Sequence, residues 1–277
     1  MTRKNEILAR LEKLYEERRK LKSDDGVYKL GLNASFGKLG SKYSAFYAPD
    51  LLIQTTITGQ LALLMLIERL HDAGVSVVSA NTDGVVVYVE KDRRHVMDAV
   101  AWEWMLDTTY GLEETNYSVL ASRNVNNYVA VTTDGRLKRK GCFAPPGLSK
   151  SPDFQIVYEA VAKQVASGVC VEETIKACDD LTKFVSLRRV TGGAVWRGQH
   201  LGKAVRFYYS TEVPDDEVIA YKRNSNTVPK SAGAKPVMDM PGAFPSDVNF
   251  EPYIEAANDL LVQIGYSEEV RAQMRLI

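Results

Sequence analysis

The sequence predicts an α+β chain, with helices packed against small antiparallel sheets, on three observations. Apolar residues recur at helical spacing over residues 7–21, 50–72 and 93–109. Short β-rich runs flank two hairpin-turn signals, Asn81-Thr82-Asp83-Gly84 and Thr133-Asp134-Gly135-Arg136. A proline- and glycine-rich stretch, residues 144–152, stops regular structure and predicts a domain boundary at 145/146.

Residues 7–21 place Ile7, Leu8, Leu11, Leu14, Tyr15 and Leu21 on one helical face, with Arg10, Lys13, Glu16, Glu17, Arg19 and Lys20 off it. Ser23-Asp24-Asp25-Gly26 ends this helix and caps the next, residues 28–39, so the chain opens as a helical hairpin. Pro49 starts the long helix 50–72, which Gly74 closes. Residues 75–80 and 85–90 then form a β-hairpin, and 93–109 a helix. Strands follow at 116–122, 127–132 and 137–143. Beyond the linker come helices at 153–167 and 171–184, β-like sequence through Tyr209, an irregular stretch at 228–245, and a final helix, 252–264, stopped by Gly265.

With 277 residues the chain suits two domains or one large lobed one, and 45% hydrophobic with 25% charged residues excludes disordered, collagen-like and disulfide-scaffold classes. The longest uninterrupted apolar run, residues 61–67, is seven residues, so no membrane span or membrane partner is expected. The first residues lack an apolar signal core, which predicts a cytoplasmic protein. Only Cys142, Cys170 and Cys178 are present, without metal-ligand spacing, which argues against a zinc site and a disulfide framework.

The 35 basic and 35 acidic residues cancel, but they are unevenly distributed. Residues 182–211 carry six basic side chains (Lys183, Arg188, Arg189, Arg197, Lys203 and Arg206) and no acidic one, interleaved with Phe184, Trp196, Phe207, Tyr208 and Tyr209. Residues 219–238 add Lys222, Arg223, Lys230 and Lys235, whereas residues 90–114 hold seven acidic residues against three basic ones. This polarity suits a polyanion partner for the C-terminal part, and equally a solvated basic face.

Two short motifs carry candidate chemistry. Lys29, Asn33 and Phe36 lie at i, i+4 and i+7, within roughly 60° on a helix surface, followed by Gly37. One face thus offers a cation, an amide and an aromatic plane for a nucleotide, or an ordinary helix with an exposed lysine and a buried phenylalanine. Asp83 sits at a hairpin tip, where a carboxylate on a rigid sheet can hold Mg²⁺ while substrate phosphates complete the shell. Asp-Gly is also a favoured two-residue hairpin turn, and Asp134-Gly135 is read as a structural copy.

In order, these motifs resemble the family B DNA polymerases, particularly the phage branch. That family's helix motif reads Lys-x-x-x-Asn-Ser-x-Tyr-Gly, against Lys29, Asn33, Ala34, Ser35, Phe36 and Gly37 here. Its palm hairpin reads Asp-Thr-Asp-Ser, against Asn81, Thr82, Asp83 and Gly84. A Lys-Lys-Arg-Tyr-like strand and Lys-x-x-Gly turn are similar to Arg123 through Tyr128 and Lys138-Arg139-Lys140-Gly141. The order of elements matches over most of the chain.

The resemblance implies a fingers helical hairpin at 1–47, a partial palm at 48–145 and a mixed α/β, thumb-like DNA-binding domain at 146–277. It implies a nucleotidyltransferase that joins dNTPs to a primer 3′-hydroxyl on primer-template DNA. Lys29 would meet the triphosphate, Asn33 the nascent pair or sugar, and Phe36, before Gly37, the new base pair. Asp83 would be the catalytic, metal-binding carboxylate of a two-Mg²⁺ site. Tyr128, Lys138 and Lys140 would steady the primer strand, and Arg188, Arg189, Arg197, Lys203 and Arg206 would hold duplex phosphates.

Four departures qualify the match. Asn81 replaces the first hairpin carboxylate, Phe36 replaces tyrosine, Asn126 and Asn127 replace basic residues, and no Asp-x-x-Ser-Leu-Tyr-Pro segment is present. The expectation is therefore a polymerase part that needs a partner chain carrying the missing aspartate motif and the exonuclease. The rivals are a catalytically inactive DNA-binding remnant and an unrelated nucleotide-binding enzyme. Against the last, Gly198, Gly202, Lys203 and Ala204 lack the spacing and final hydroxyl of a P-loop.

Overall fold

The computed structural model describes residues 25–145 and 151–266, so the expected helix at 7–21 lies outside the described residues. The chain divides into two compact units, Met1–Glu113 and Glu114–Ile277. The division expected at 145/146 falls inside the second unit, where Ala121, Val129 and Phe143 share a core with Ile156, Val157 and Ala160.

In the first unit, helix α1 (Asp25–Leu39) leads to the long helix α2 (Pro49–Asp72). Pro49 occupies the first turn, where its missing N–H costs no hydrogen bond and its fixed φ suits the helix. Leu39 at the end of α1 packs with Ala48 and Leu51 at the start of α2. At the far end Gly74, with φ +73°, turns the chain into strands β1 (Ser76–Ala80) and β2 (Val85–Tyr88). These pair antiparallel, from Ser76 opposite Tyr88 to Ala80 opposite Val85. Helix α3 (Arg94–Thr108) completes the layer, its Trp104 buried with Leu66, Leu70 and Val75. The Trp104 indole donates to Ala62 O at 2.7 Å, and the Arg93 guanidinium donates to Ala73 O and Gly74 O, covering the end of α2.

Helix α2 is more apolar than the count of uninterrupted apolar residues suggests. Counting uninterrupted apolar residues hid its overall character, because threonine and glutamine are dispersed among its leucines and isoleucines. By length and composition it is long and apolar enough to cross a membrane, with mean hydropathy 1.5 over its most apolar window. Thr55 and Thr56 return their hydroxyls to Leu51 O and Leu52 O, which removes their demand for outside partners. Ile53, Ile57, Leu61 and Leu64 form an exposed apolar row along it.

In the second unit, strands β3 (Tyr117–Asn124), β4 (Asn127–Thr132) and β5 (Leu137–Lys140) form an antiparallel sheet in that order. The third strand stops at Lys140, short of the expected Phe143, because Gly141 adopts φ +66° and starts a helical turn. Helix α4 (Gln155–Ser167) follows. Helix α5 (Val171–Lys176) is shorter than the 171–184 expected. Asp180 starts a separate turn instead, its carboxylate accepting both the N–H and the hydroxyl of Thr182.

Strands β6 (Ser186–Trp196) and β7 (Gln199–Tyr209) form a long hairpin, with β8 (Ala220–Tyr221) and β9 (Ala234–Pro236) on its flanks in the order β8-β6-β7-β9. Arg197 and Gly198, at φ +46° and +77°, make its two-residue tip. Helix α6 (Glu251–Gln263) closes the core. Fully buried Tyr253 lies edge-on to Phe154 and Phe184, donates its hydroxyl to Phe184 O at 2.8 Å and accepts Tyr209 N–H at 2.9 Å. It thus stitches α6 to β7 and to the entry of β6.

Candidate functional site

The hairpin tip of the first unit displays one carboxylate. Asn81 N–H donates to Gly84 O at 2.9 Å, closing the loop, and Asn81 Oδ1 accepts the N–H of Asp83 at 3.1 Å. Thr82 and Asp83 therefore form the turn. Neither Asp83 nor Gly84 has positive φ, so this Asp-Gly pair is not the two-residue turn that its sequence also suits. The Asp83 side chain is exposed and receives no hydrogen bond or ion pair from another described residue. Residue 81, as asparagine, fixes the loop that presents it.

The second Thr-Asp-Gly copy is built differently. Gly135 has φ +83°, Thr132 donates its hydroxyl to Asp134 Oδ1, and Arg136 Nε donates to Asp134 Oδ2 at 2.7 Å. Those bonds, from Thr132 first and then Arg136, hold the Asp134 carboxyl below its ordinary range. The same tripeptide is thus a tied turn in one place and an exposed carboxylate in the other.

All four helix-motif residues, Lys29, Asn33, Phe36 and Gly37, lie on α1. Asn33 is exposed and Phe36 is 37% exposed, so the ring is available and not sunk in a core. The α1 motif is anchored near Leu51 and the hairpin near Leu66, about 22 Å apart along α2 at 1.5 Å per residue. No hydrogen bond or ion pair among the described residues joins Asp83 to Asn33 or Phe36.

In the second unit, strand register brings the predicted primer-strand residues to one face. Tyr128 stands opposite Lys140, and Ala130 opposite Lys138. The Lys140 ammonium lies 5.8 Å from the Tyr128 ring centre and Lys138 lies 5.4 Å from that of Tyr117. Neither lysine is paired with a carboxylate among the described residues. The opposite face carries Ala121 and Val129, buried in the core. Asn127 in this sheet serves the turn, its Oδ1 accepting the N–H of Cys142 at 2.8 Å.

The six basic residues of 182–211 do not form one free surface. Arg188 donates to Asp153 at 2.8 Å, Lys183 to Glu159 at 2.8 Å, and Arg197 makes two bonds to Glu217 at 2.6 and 2.8 Å while stacking on Trp196. Arg189, Lys203 and Arg206 remain exposed, and Arg206 also donates to Met238 O. Arg189 pairs with Ala204 and Arg206 with Leu187, which sets both arginines on the face away from buried Val190, Val205 and Phe207.

Against this geometry stands a similarity to a known protein. Over 130 residues the chain is 26% identical to DNA polymerase 1 of Aeropyrum pernix, a match covering 46% of this chain and 13% of that polymerase. The chain is similar to a DNA polymerase. No protein-family model matches it.

Polymerase chemistry of the expected kind uses two metal ions. The described residues contain no group of three metal-ligating side chains. Tyr117 stands on the β3–β5 face that carries Lys138 and Lys140, and no sequence motif marks it. Its signal lay in strand alternation across β3, β4 and β5, which places Tyr117 on the face of Tyr128, but a bulge between Tyr117 and Val119 obscures it.

Proposed function

We propose that this chain supplies part of a template-directed DNA polymerase of family B, phage type, and that it works with a partner chain. The observation that carries the proposal is Asp83, exposed and unpartnered among the described residues on a tip braced by Asn81. Similarity to a DNA polymerase over 130 residues supports the reaction class. In this reading residues 1–47 act as fingers, 48–145 as part of the palm and 146–277 as the thumb. Lys29, Asn33 and Phe36 meet the incoming dNTP, and Gly37 follows them in the motif. The primer 3′-hydroxyl attacks the α-phosphate and pyrophosphate departs.

Tyr128, Lys138 and Lys140 receive the primer strand on the outer face of the β3–β5 sheet, where two ammonium groups stand free of carboxylates among the described residues. Arg189, Lys203 and Arg206 are the better placed of the basic residues to track duplex phosphates. Arg188 and Arg197 contribute through the ion pairs that shape the second unit. The partner carries the Asp-x-x-Ser-Leu-Tyr-Pro segment, and with it the second carboxylate of a Mg²⁺ site, together with the exonuclease. The setting is the cytoplasm, that of an infected bacterium if the chain is phage-encoded.

A second reading, a DNA-binding remnant without activity, is favoured by one observation. Position 81 holds an amide whose oxygen is spent on the backbone of Asp83. Purifying the chain with its associated protein and assaying dNTP incorporation separates the two. Template-dependent extension supports the polymerase; DNA binding without extension by an assembly that contains the missing motif supports the remnant.

A further inference from the structure

We propose that Tyr117, together with Tyr128, is a positioning residue that holds Lys138 and Lys140 as a two-point clamp for successive phosphates of one nucleic-acid strand. The inference rests on the reading of the β3–β5 face as a DNA contact, and adds to it a residue that no motif assigns. Lys138 and Lys140 are two apart on β5, so both project from one face with Cα atoms about 6.7 Å apart. That separation is close to the step between neighbouring phosphates on one strand. Each ammonium lies over a different ring, Lys138 over Tyr117 at 5.4 Å and Lys140 over Tyr128 at 5.8 Å.

The rings come from different strands, β3 and β4, so the sheet itself fixes their spacing. A free lysine samples many rotamers and loses that freedom when it binds a phosphate. A ring beneath the ammonium restricts it beforehand without neutralising it, unlike the carboxylates that occupy Arg188 and Lys183. Tyr117 and Tyr128 are both half-buried, so their rings are supported by the sheet.

The test uses the full chain and a primer-template duplex, with Tyr117→Leu, Tyr117→Phe, Lys138→Ala and the Tyr117→Leu/Lys138→Ala pair. Tyr117→Leu should weaken binding roughly two- to fivefold, Tyr117→Phe should bind like the parent, and the pair should match Lys138→Ala alone. NMR without DNA provides the independent readout. The Lys138 ε-methylene protons should sit upfield under the ring current of Tyr117 and return to ordinary positions in Tyr117→Leu. Loss of that upfield shift without a change in affinity would overturn the clamp and leave the DNA face intact. If Lys138→Ala leaves affinity unchanged, the DNA face and the clamp fail together; if Tyr117→Phe loses as much as Tyr117→Leu, the ring is not what acts.

Discussion

Asn81 Oδ1 accepts the backbone N–H of Asp83 at 3.1 Å, so the amide at position 81 holds in place the backbone that carries the carboxylate two residues on. This relationship gives the tip two separable properties. Residue 81 sets its shape, and residue 83 sets its charge.

Asp83→Asn should therefore abolish nucleotide incorporation by the assembled enzyme while leaving stability and primer-template affinity nearly unchanged. The carboxylate makes no contact with other described residues that its loss would break. Asp134→Asn should do the reverse, keeping activity and lowering Tm, because Asp134 accepts from Thr132 and Arg136. Incorporation assays and thermal melts on the two variants check this, and equal loss of activity from both would mean that the two turns have been misassigned.

The basic residues should separate in the same way. Lys138→Ala and Lys140→Ala should each reduce the slope of log affinity against log salt by about one. Arg188→Ala and Arg197→Ala should leave that slope unchanged. Arg188→Ala should lower Tm, since it deprives Asp153 of one donor and leaves it with Ser186 and Lys230. Fluorescence anisotropy across a salt series reads the slopes.

Gly141→Ala should destabilise the second unit by roughly 2 kcal/mol or more. Gly141 has φ +66°, and a Cβ there would come within 2.2 Å of Asn126 O, a backbone atom, and of Asn127 Oδ1. Urea titration of the variant measures the loss.

The cluster around Asp247 predicts a pH dependence. Burial opposes ionisation of Asp247, which is 11% exposed at its side chain, but bonds from Lys235, Ser210 and Tyr208 outweigh burial and hold the carboxyl below its ordinary range. Its contribution is complete above about pH 4 and lost as pH falls through the folded value. Bonds to Asp247 and Glu212 raise Lys235, and burial raises Tyr208 to about 12. Their contributions are complete below about pH 10 and decline as pH rises through the folded values. Asp247→Asn should lower stability at neutral pH by roughly 1–3 kcal/mol and flatten the acid limb of the Tm profile.

The elements that were legible in the sequence are those set by neighbours in the chain. Pro49 and Gly74 bound α2, and Asn81–Gly84 and Thr133–Arg136 mark two hairpins, because capping and turn chemistry act over a few residues. The remainder depends on contacts between distant positions. Arg188 meets Asp153 from 35 residues away and Tyr253 bonds Phe184 from 69 away, so an acid-free basic stretch in sequence became a set of ion pairs in space. Asp180 could have been read as a cap, yet helical apolar spacing on either side concealed it. Motif order placed Asp83 on a hairpin of the first unit and the lysines on a strand of the second, but only register showed that Tyr117 shares a sheet face with Lys138 and Lys140.

The most direct measurement is primer extension on a defined template with dNTPs and Mg²⁺, using this chain alone, this chain assembled with the proposed partner, a chain carrying an Asp-x-x-Ser-Leu-Tyr-Pro segment, and the same assembly with Asp83→Asn. The account predicts no extension by the chain alone, template-directed extension by the assembly, and none by the Asp83→Asn assembly. Extension by the chain alone, or full activity of the Asp83→Asn assembly, would contradict it.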